Sequence, residues 1–294
     1  MHASAAQPRS PTAMTELVIT TEDGRTLTAE WLSAPGDSEA RATLLVAPAT
    51  GVRRTFYAAF SAHLAELGYN VLLWDARGIG DSRDGHIRHD KTCMFDWGRY
   101  DLDAMIRYAS TKAPQQKMIL LGHSSGGQLA GLAPSIHGVA AIALIAAGTA
   151  DWRDYPTSQW PRLFTAWYVV LPALVAIFGY LPGWAGVGQH LPSGVARQWR
   201  RWGVTKGYLF GDPTVDSSGY RNYRGNVFAV SIDDDHDFAP PGPVSALLNQ
   251  FASATREHQV VESGKDSVGH FGFFRPRHSV HWPVVTDWLA RHTG

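Results

Sequence analysis

The feature that most constrains this chain is a series of short, almost uncharged apolar runs. Residues 43–47 (TLLVA), 70–74 (NVLLW), 117–121 (KMILL), 139–146 (VAAIALIA) and 226–232 (NVFAVSI) all have this character. Each is short for a helix and too evenly apolar for a strand with one wet face, so each reads as a strand covered on both sides. Helical spacing fills the gaps between them. Phe56, Phe60, Leu64 and Leu67 recur on one face before Gly68, a natural helix stop. A second helix is expected over 97–109 with Asp96 as its N-cap, followed by a short one over 126–132. Strand–helix alternation of this kind predicts a parallel sheet with helices on both faces. Two further strands, 16–20 and 26–32, precede it around the turn Glu22-Asp23-Gly24.

Beyond Ala150 the alternation stops. Residues 150–223 are rich in Pro, Gly and aromatics, including Trp152, Trp160, Trp167, Trp184, Trp199 and Trp202. They read as an insertion forming a helical lid, the bland alternative being an extra packing layer with no part in substrate binding. Within it, residues 163–182 (LFTAWYVVLPALVAIFGYLP) carry no charge and are long enough to cross a bilayer. Pro172 and Gly179 argue instead for two short helices, buried or in the lid, and no membrane span is expected. The alternation resumes with helix 243–254, strand 258–261 and a closing helix over 284–291. The expected organisation is a disordered leader (1–14), a first core segment (15–149), the lid (150–223) and a second core segment (224–294).

Composition narrows the function classes. The chain has 294 residues, 45% of them hydrophobic, enough for a sizeable core. Lys+Arg and Asp+Glu both number 26, so no basic excess invites nucleic acid. Cys93 stands alone, which removes an intrachain disulfide and any cysteine-rich metal site and fits a cytoplasmic setting. No cofactor is expected.

The chemistry starts at Gly122-His123-Ser124-Ser125-Gly126, a G-x-S-x-G pattern. It directly follows a buried strand and opens a helix, the context in which a serine on a tight strand-to-helix turn becomes a nucleophile. Dehalogenase or epoxide-hydrolase chemistry would want an aspartate at that position. A serine hydroxyl needs a base to take its proton, and His270, in the glycine-flanked segment 268–274 (VGHFGFF), is the candidate; His278 and His281 stand at the entry to the last helix and suit surface or packing roles. The third member, a carboxylate, is expected after the strand 226–232, which runs into Asp233-Asp234-Asp235-His236-Asp237. Asp151 is a rival after the preceding strand. Two backbone N–H groups should form an oxyanion hole: Ser125 next to the nucleophile, and Ala49, with Thr50 in reserve, because Pro48 has no N–H.

The elbow GHSSGG, the loop DARGIGDS (75–82) and the segment GHFGFFR (269–275) resemble the α/β-hydrolase superfamily. With the segment FGYLPG…LPSGVARQW they are similar to a bacterial group of predicted hydrolases related to serine aminopeptidases. The resemblance spans nearly all of the chain after Met14. It implies the α/β-hydrolase fold, catalytic roles for Ser124 and His270, and no metal. It maps the acid best onto Asp235, with Asp234 and Asp237 as alternatives. The oxyanion loop departs from lipases, which often carry His-Gly where this chain has Ala47-Pro48. The expected activity is cleavage of a small, hydrophobic carboxylic ester through an acyl-serine. The alternatives are amide or peptide hydrolysis by the same residues, or a non-catalytic ligand-binding protein on the same fold.

Overall fold

The computed structural model describes residues 14–36 and 39–293, so all of the expected leader except Met14 lies outside the described residues. Eight strands form one sheet. They are β1 (Met14–Thr20), β2 (Thr26–Leu32), β3 (Thr43–Ala47), β4 (Asn70–Trp74), β5 (Met118–His123), β6 (Ala141–Ile145), β7 (Asn226–Ile232) and β8 (Thr255–Val261). Their order is β1-β2-β4-β3-β5-β6-β7-β8. β1–β2 and β2–β4 pair antiparallel, and every later pair is parallel. This is the α/β-hydrolase fold. The apolar runs occupy the middle of the sheet, where β3, β5 and β6 are buried along their whole length. Helices cover both faces of such strands, and no position can be polar without a partner. β8 closes the far edge and is exposed except at Val261, as an edge strand allows.

Two helix expectations are corrected by the structure. The second helical stretch starts at Met94, with Cys93 as its N-cap; Asp96 sits three residues further in, and its carboxylate accepts the Cys93 N–H at 2.7 Å. That stretch widens to a π turn over Trp97–Leu102 before continuing as Asp103–Lys112. Pro172 does not divide the apolar run into two helices either. A single helix runs from Thr157 to Phe178. A π turn over Ala166–Val170 lies immediately before Leu171–Phe178, in which Pro172 is a first-turn residue. A proline ring collides with the carbonyl four residues earlier and donates no N–H, and a widened turn relieves both problems. Gly179, at φ +75°, ends the helix.

Residues 150–223 contribute no strand to the large sheet. They hold the long helix, a two-stranded ribbon (Tyr180–Leu181 with Leu191–Pro192) and the helices Ser193–Val204 and Ser218–Asn222. Trp167 and Trp202 are buried, and Trp167 meets Trp199 edge-on with ring centres 5.2 Å apart. These side chains belong to the same continuous core as the sheet, and the segment lies over Ser124 at the carboxyl end of β5.

Candidate active site

The candidate residues sit in segments that follow the carboxyl ends of parallel strands. Ser124 follows β5, between His123 and the helical turn Ser125–Gln128, at φ +49° and ψ −118°. A non-glycine residue in that region carries strain of roughly 1–3 kcal/mol. The surrounding backbone holds it there. The Ser124 N–H donates to the Ile145 carbonyl of β6 at 3.0 Å, and its own carbonyl accepts from Gly127 and Gln128. The glycines of the motif are required by space. A Cβ on Gly122 would lie 2.5 Å from the Gly127 backbone, and one on Gly126 would lie 2.3 Å from the Ala47 carbonyl oxygen.

His270 is buried at the start of the short helix Gly269–Gly272. Its Nδ1 lies 2.6 Å from Asp235 Oδ2, with both side chains almost wholly buried. The other Asp235 oxygen accepts the Phe238 N–H at 3.1 Å. The neighbouring carboxylates do different work. Asp233 accepts the Ser263 N–H. Asp234 accepts from Ser267 Oγ and from the N–H groups of Val268 and Gly269, and so clasps the loop that carries the histidine. Asp237 is exposed and pairs with Arg162 at 2.9 Å. Asp151 is bound to Arg153 and the Gly207 N–H within residues 150–223.

A buried chain of hydrogen bonds ties these loops together. His123, the residue before Ser124, has Nε2 at 3.0 Å from the His270 carbonyl oxygen and Nδ1 at 2.8 Å from Tyr57 Oη. A carbonyl only accepts, so Nε2 carries the hydrogen. Burial holds the His123 pKa well below its ordinary value, with His270 adding to the effect, and the ring is neutral. Nδ1 is therefore the acceptor and Tyr57 donates to it. Tyr57 Oη in turn accepts the Ala49 N–H at 2.9 Å.

Ser124 also lines a cavity of about 250 Å³ beneath residues 150–223. Its walls include Leu163, Trp167, Leu171, Leu174, Leu181 and Trp199, and Phe238 closes one side. Phe238 packs against the His270 ring with centres 4.8 Å apart. Among the described residues, no group of three or more His, Cys, Asp or Glu side chains is placed to hold a metal ion.

The family model described as serine aminopeptidase, S33, matches residues 38–184, half of the chain. The chain belongs to this family. Solved structures similar to the S33-family chain agree on the fold. Monoglyceride lipase from Saccharomyces cerevisiae, a soluble variant in complex with a substrate analog, aligns with TM-score 0.68 and 16% identity over 99% of this chain and all of the other. Est1E from Butyrivibrio proteoclasticus, with ferulic acid bound, aligns with TM-score 0.65 and 17% identity over 94% of this chain and 98% of that one. The Pyrococcus furiosus esterase Pf2001 gives TM-score 0.62 and 16% identity over 96% and 94%. A search of curated proteins finds no match.

In this S33-family chain the structure joins Asp235 and His270 and hangs them on the residue next to Ser124. It does not join Asp234, Asp237 or Asp151 to the histidine. Ala49 cannot offer a free N–H, because Tyr57 takes it. The Thr50 and Ser125 N–H groups are both without a protein acceptor among the described residues. Sequence reasoning missed Tyr57 and His123. Tyr57 lies in an ordinary amphipathic helix pattern, and His123 fills a variable position of the motif, so neither residue stands out locally. A histidine at the end of a strand buried on both faces was the available signal, since it needs a partner on each nitrogen.

Proposed function

We propose that this chain is a serine esterase that acts through Ser124, His270 and Asp235. The observation that carries the reading is the buried Asp235–His270 pair, hydrogen-bonded through the His270 backbone to the residue before a strained, cavity-lining serine. Asp235 fixes the histidine with hydrogen on Nδ1, which leaves Nε2 as base. Nε2 takes the Ser124 hydroxyl proton as Oγ bonds to the ester carbonyl carbon. The carbonyl oxygen becomes an oxyanion that accepts from the Ser125 and Thr50 N–H groups. The intermediate collapses, the C–O bond to the alcohol breaks, and Nε2–H protonates the departing oxygen. Water then loses a proton to His270 and attacks the acyl-serine, releasing the acid and restoring Ser124. No cofactor enters this cycle.

The cavity supports an ester over a peptide substrate. Recognition of a free α-amino group calls for an unpaired carboxylate, whereas Asp237, the carboxylate on the cavity wall, is paired with Arg162. The remaining walls are mostly apolar, and the volume lies just below the roughly 300–1,000 Å³ common for small-molecule sites. Residues 150–223 thus act as a lid that supplies the acyl or alcohol pocket. The test is a series of p-nitrophenyl esters of increasing chain length with wild type and Ser124→Ala. The variant should be folded, inactive and unlabelled by a fluorophosphonate. Wild-type kcat/KM should rise by up to about fourfold per methylene until the cavity is full. An active Ser124→Ala protein would sink the mechanism. A rate independent of chain length would sink the pocket assignment.

A further inference from the structure

The long helix of the lid is apolar on both sides. One side, with Leu163, Trp167, Leu171 and Leu174, lines the cavity. The other faces outward with no protein over it: Val169 is 56% exposed, Ile177 71%, and Phe164 and Tyr168 are exposed and stacked on each other. Only 17% of the most apolar stretch is buried, although the helix is long and apolar enough to cross a membrane by length and composition. Trp184, 69% exposed, packs edge-on against Phe178 at the end of the helix and extends the patch. A surface helix that merely covers a core has a polar outer face, and apolar patches of this extent mark interaction sites.

Charge indicates what covers the patch. From Tyr155 to Gly211 there is no Asp or Glu, yet Arg162, Arg197, Arg200, Arg201 and Lys206 fall in that stretch of a chain with zero formal charge. Arg162 and Arg201 are neutralised by Asp237 and Asp212. Arg197 and Arg200 border a groove beside Leu171, Pro172 and Val175, and Arg200 lies over the Tyr168 ring. Arg88 lies alongside Gly179 at the helix end. None of these three has a carboxylate partner among the described residues; Arg88 and Arg197 are exposed, and half-buried Arg200 donates to the Trp167 carbonyl at 2.7 Å. Exposed apolar side chains rimmed by unpaired arginines match the boundary between acyl chains and anionic headgroups.

We propose that the outer face of the Thr157–Phe178 helix docks on an anionic lipid surface, with the helix lying along it. The helix does not span, because its inner face is committed to the cavity. Val170 is 45% exposed and also lines the cavity, so the docked face and the substrate site adjoin. This placement requires no particular chemistry at Ser124.

The test is co-sedimentation of full-length Ser124→Ala protein with phosphatidylcholine vesicles and with vesicles of equal parts phosphatidylcholine and phosphatidylglycerol. Using the inactive protein keeps the outcome separate from any failure of the esterase reading. Binding should be confined largely to the anionic vesicles and should weaken as salt rises. Val169→Asp/Ile177→Asp should lower it at least about tenfold. Arg88→Ala and Arg197→Ala should each lower it about fivefold. In the wild-type background, all these variants should keep their rate on a water-soluble short-chain ester, which shows that they are folded. Equal binding to neutral vesicles would overturn the proposal, as would binding that the Asp variants leave intact. So would a concentration-dependent dimer in sedimentation velocity, abolished by Val169→Asp/Ile177→Asp, without vesicle binding: the face would then belong to a second copy of the chain.

Discussion

Two arginines beside the sheet, Arg54 and Arg77, are buried and saturated with carboxylates, whereas Arg88 and Arg197 next to the lid helix are exposed and have none among the described residues. Arg54 reaches Glu30 of β2 at 2.9 Å and both Asp75 and Asp81 at 2.6 Å. Arg77 reaches Asp101 and Asp23, each at 2.6 Å. Asp75, Arg77 and Asp81 all belong to the loop after β4, so two guanidinium groups fasten that loop to the β1–β2 turn, to β2 and to the second helix. Arg88 and Arg197 hold nothing together in this way, and Arg200, half-buried, ties its helix to the Trp167 carbonyl at 2.7 Å without any carboxylate. The same residue type thus serves as an internal clamp where carboxylates surround it and as free surface charge where they are missing. The clamped region has one shape, and the lid has spare surface to offer.

The first way to break this comparison is within one loop. Asp235 belongs to the rigid side, while Asp237, two residues on, leans toward the lid through Arg162. Asp235→Asn should lower kcat on a short-chain ester by about four orders of magnitude, because the histidine loses its orienting acceptor. Asp237→Asn should change kcat less than about fivefold, the range of an exposed ion pair. Equal losses would mean that the lid ion pair is part of the machinery and that the two sides do not divide in this way.

A second, smaller effect concerns stability. Asp75 is fully buried and accepts from both the Arg54 backbone and its guanidinium. Asp75→Ala leaves a buried cation short of a partner and should destabilise the fold by about 3–5 kcal/mol in urea unfolding. Arg197→Ala on the lid should stay within about 0.5 kcal/mol. Similar midpoints for the two would show that the clamp is not a clamp.

The smallest effect is one of pH. The hydrogen bond from Arg77 holds the Asp23 carboxyl down at about 2, against the opposing effect of burial. A carboxylate with a lowered folded pKa stabilises above its ordinary value and loses that contribution as pH falls through the folded one. Between pH of about 4 and about 2, the urea midpoint of the wild type should fall more than that of Asp23→Asn. Parallel curves would remove Asp23 from the clamp.

Legibility in the sequence follows the range of the forces involved. β3, β4 and β7 were readable to the residue, because a strand buried on both faces writes itself as an unbroken apolar run. The elbow was readable because the Gly122 clash lies within its own turn and the G-x-S-x-G pattern follows a buried strand, although the Gly126 clash is with Ala47 of β3. The acid could be narrowed to one cluster, and only the family resemblance favoured Asp235 within it; the four carboxylates differ in what faces them, the segment after β8 for Asp233, Asp234 and Asp235 and Arg162 of the long helix for Asp237. Ala49 failed as an N–H donor for the same reason, since the competing acceptor is the Tyr57 hydroxyl. The helix through Pro172 was hidden because a π turn has no residue signature of its own. The Cys93 cap was hidden because a sulfur is a poor acceptor, and the Asp96 carboxylate does much of the work from inside the helix.

The Ala49–Tyr57–His123–His270 linkage also bears on how substrate range can diversify. Three loops from separate strands, one of them leading into Ser124 on the cavity floor, share one buried run of hydrogen bonds, so reshaping any of them disturbs the others. Replacing either Tyr57 or His123 alone would leave a buried polar atom of the other without its partner. The opposite wall is tied to the core through Tyr155 and Tyr208, which donate to the Phe238 carbonyl and to Gln128 Oε1, but the Leu163, Leu171 and Leu174 side chains that line the cavity make no hydrogen bond. New specificities on this scaffold should therefore arise almost entirely from the ceiling, through the side chains of one helix, while the floor passes unaltered from one variant to the next.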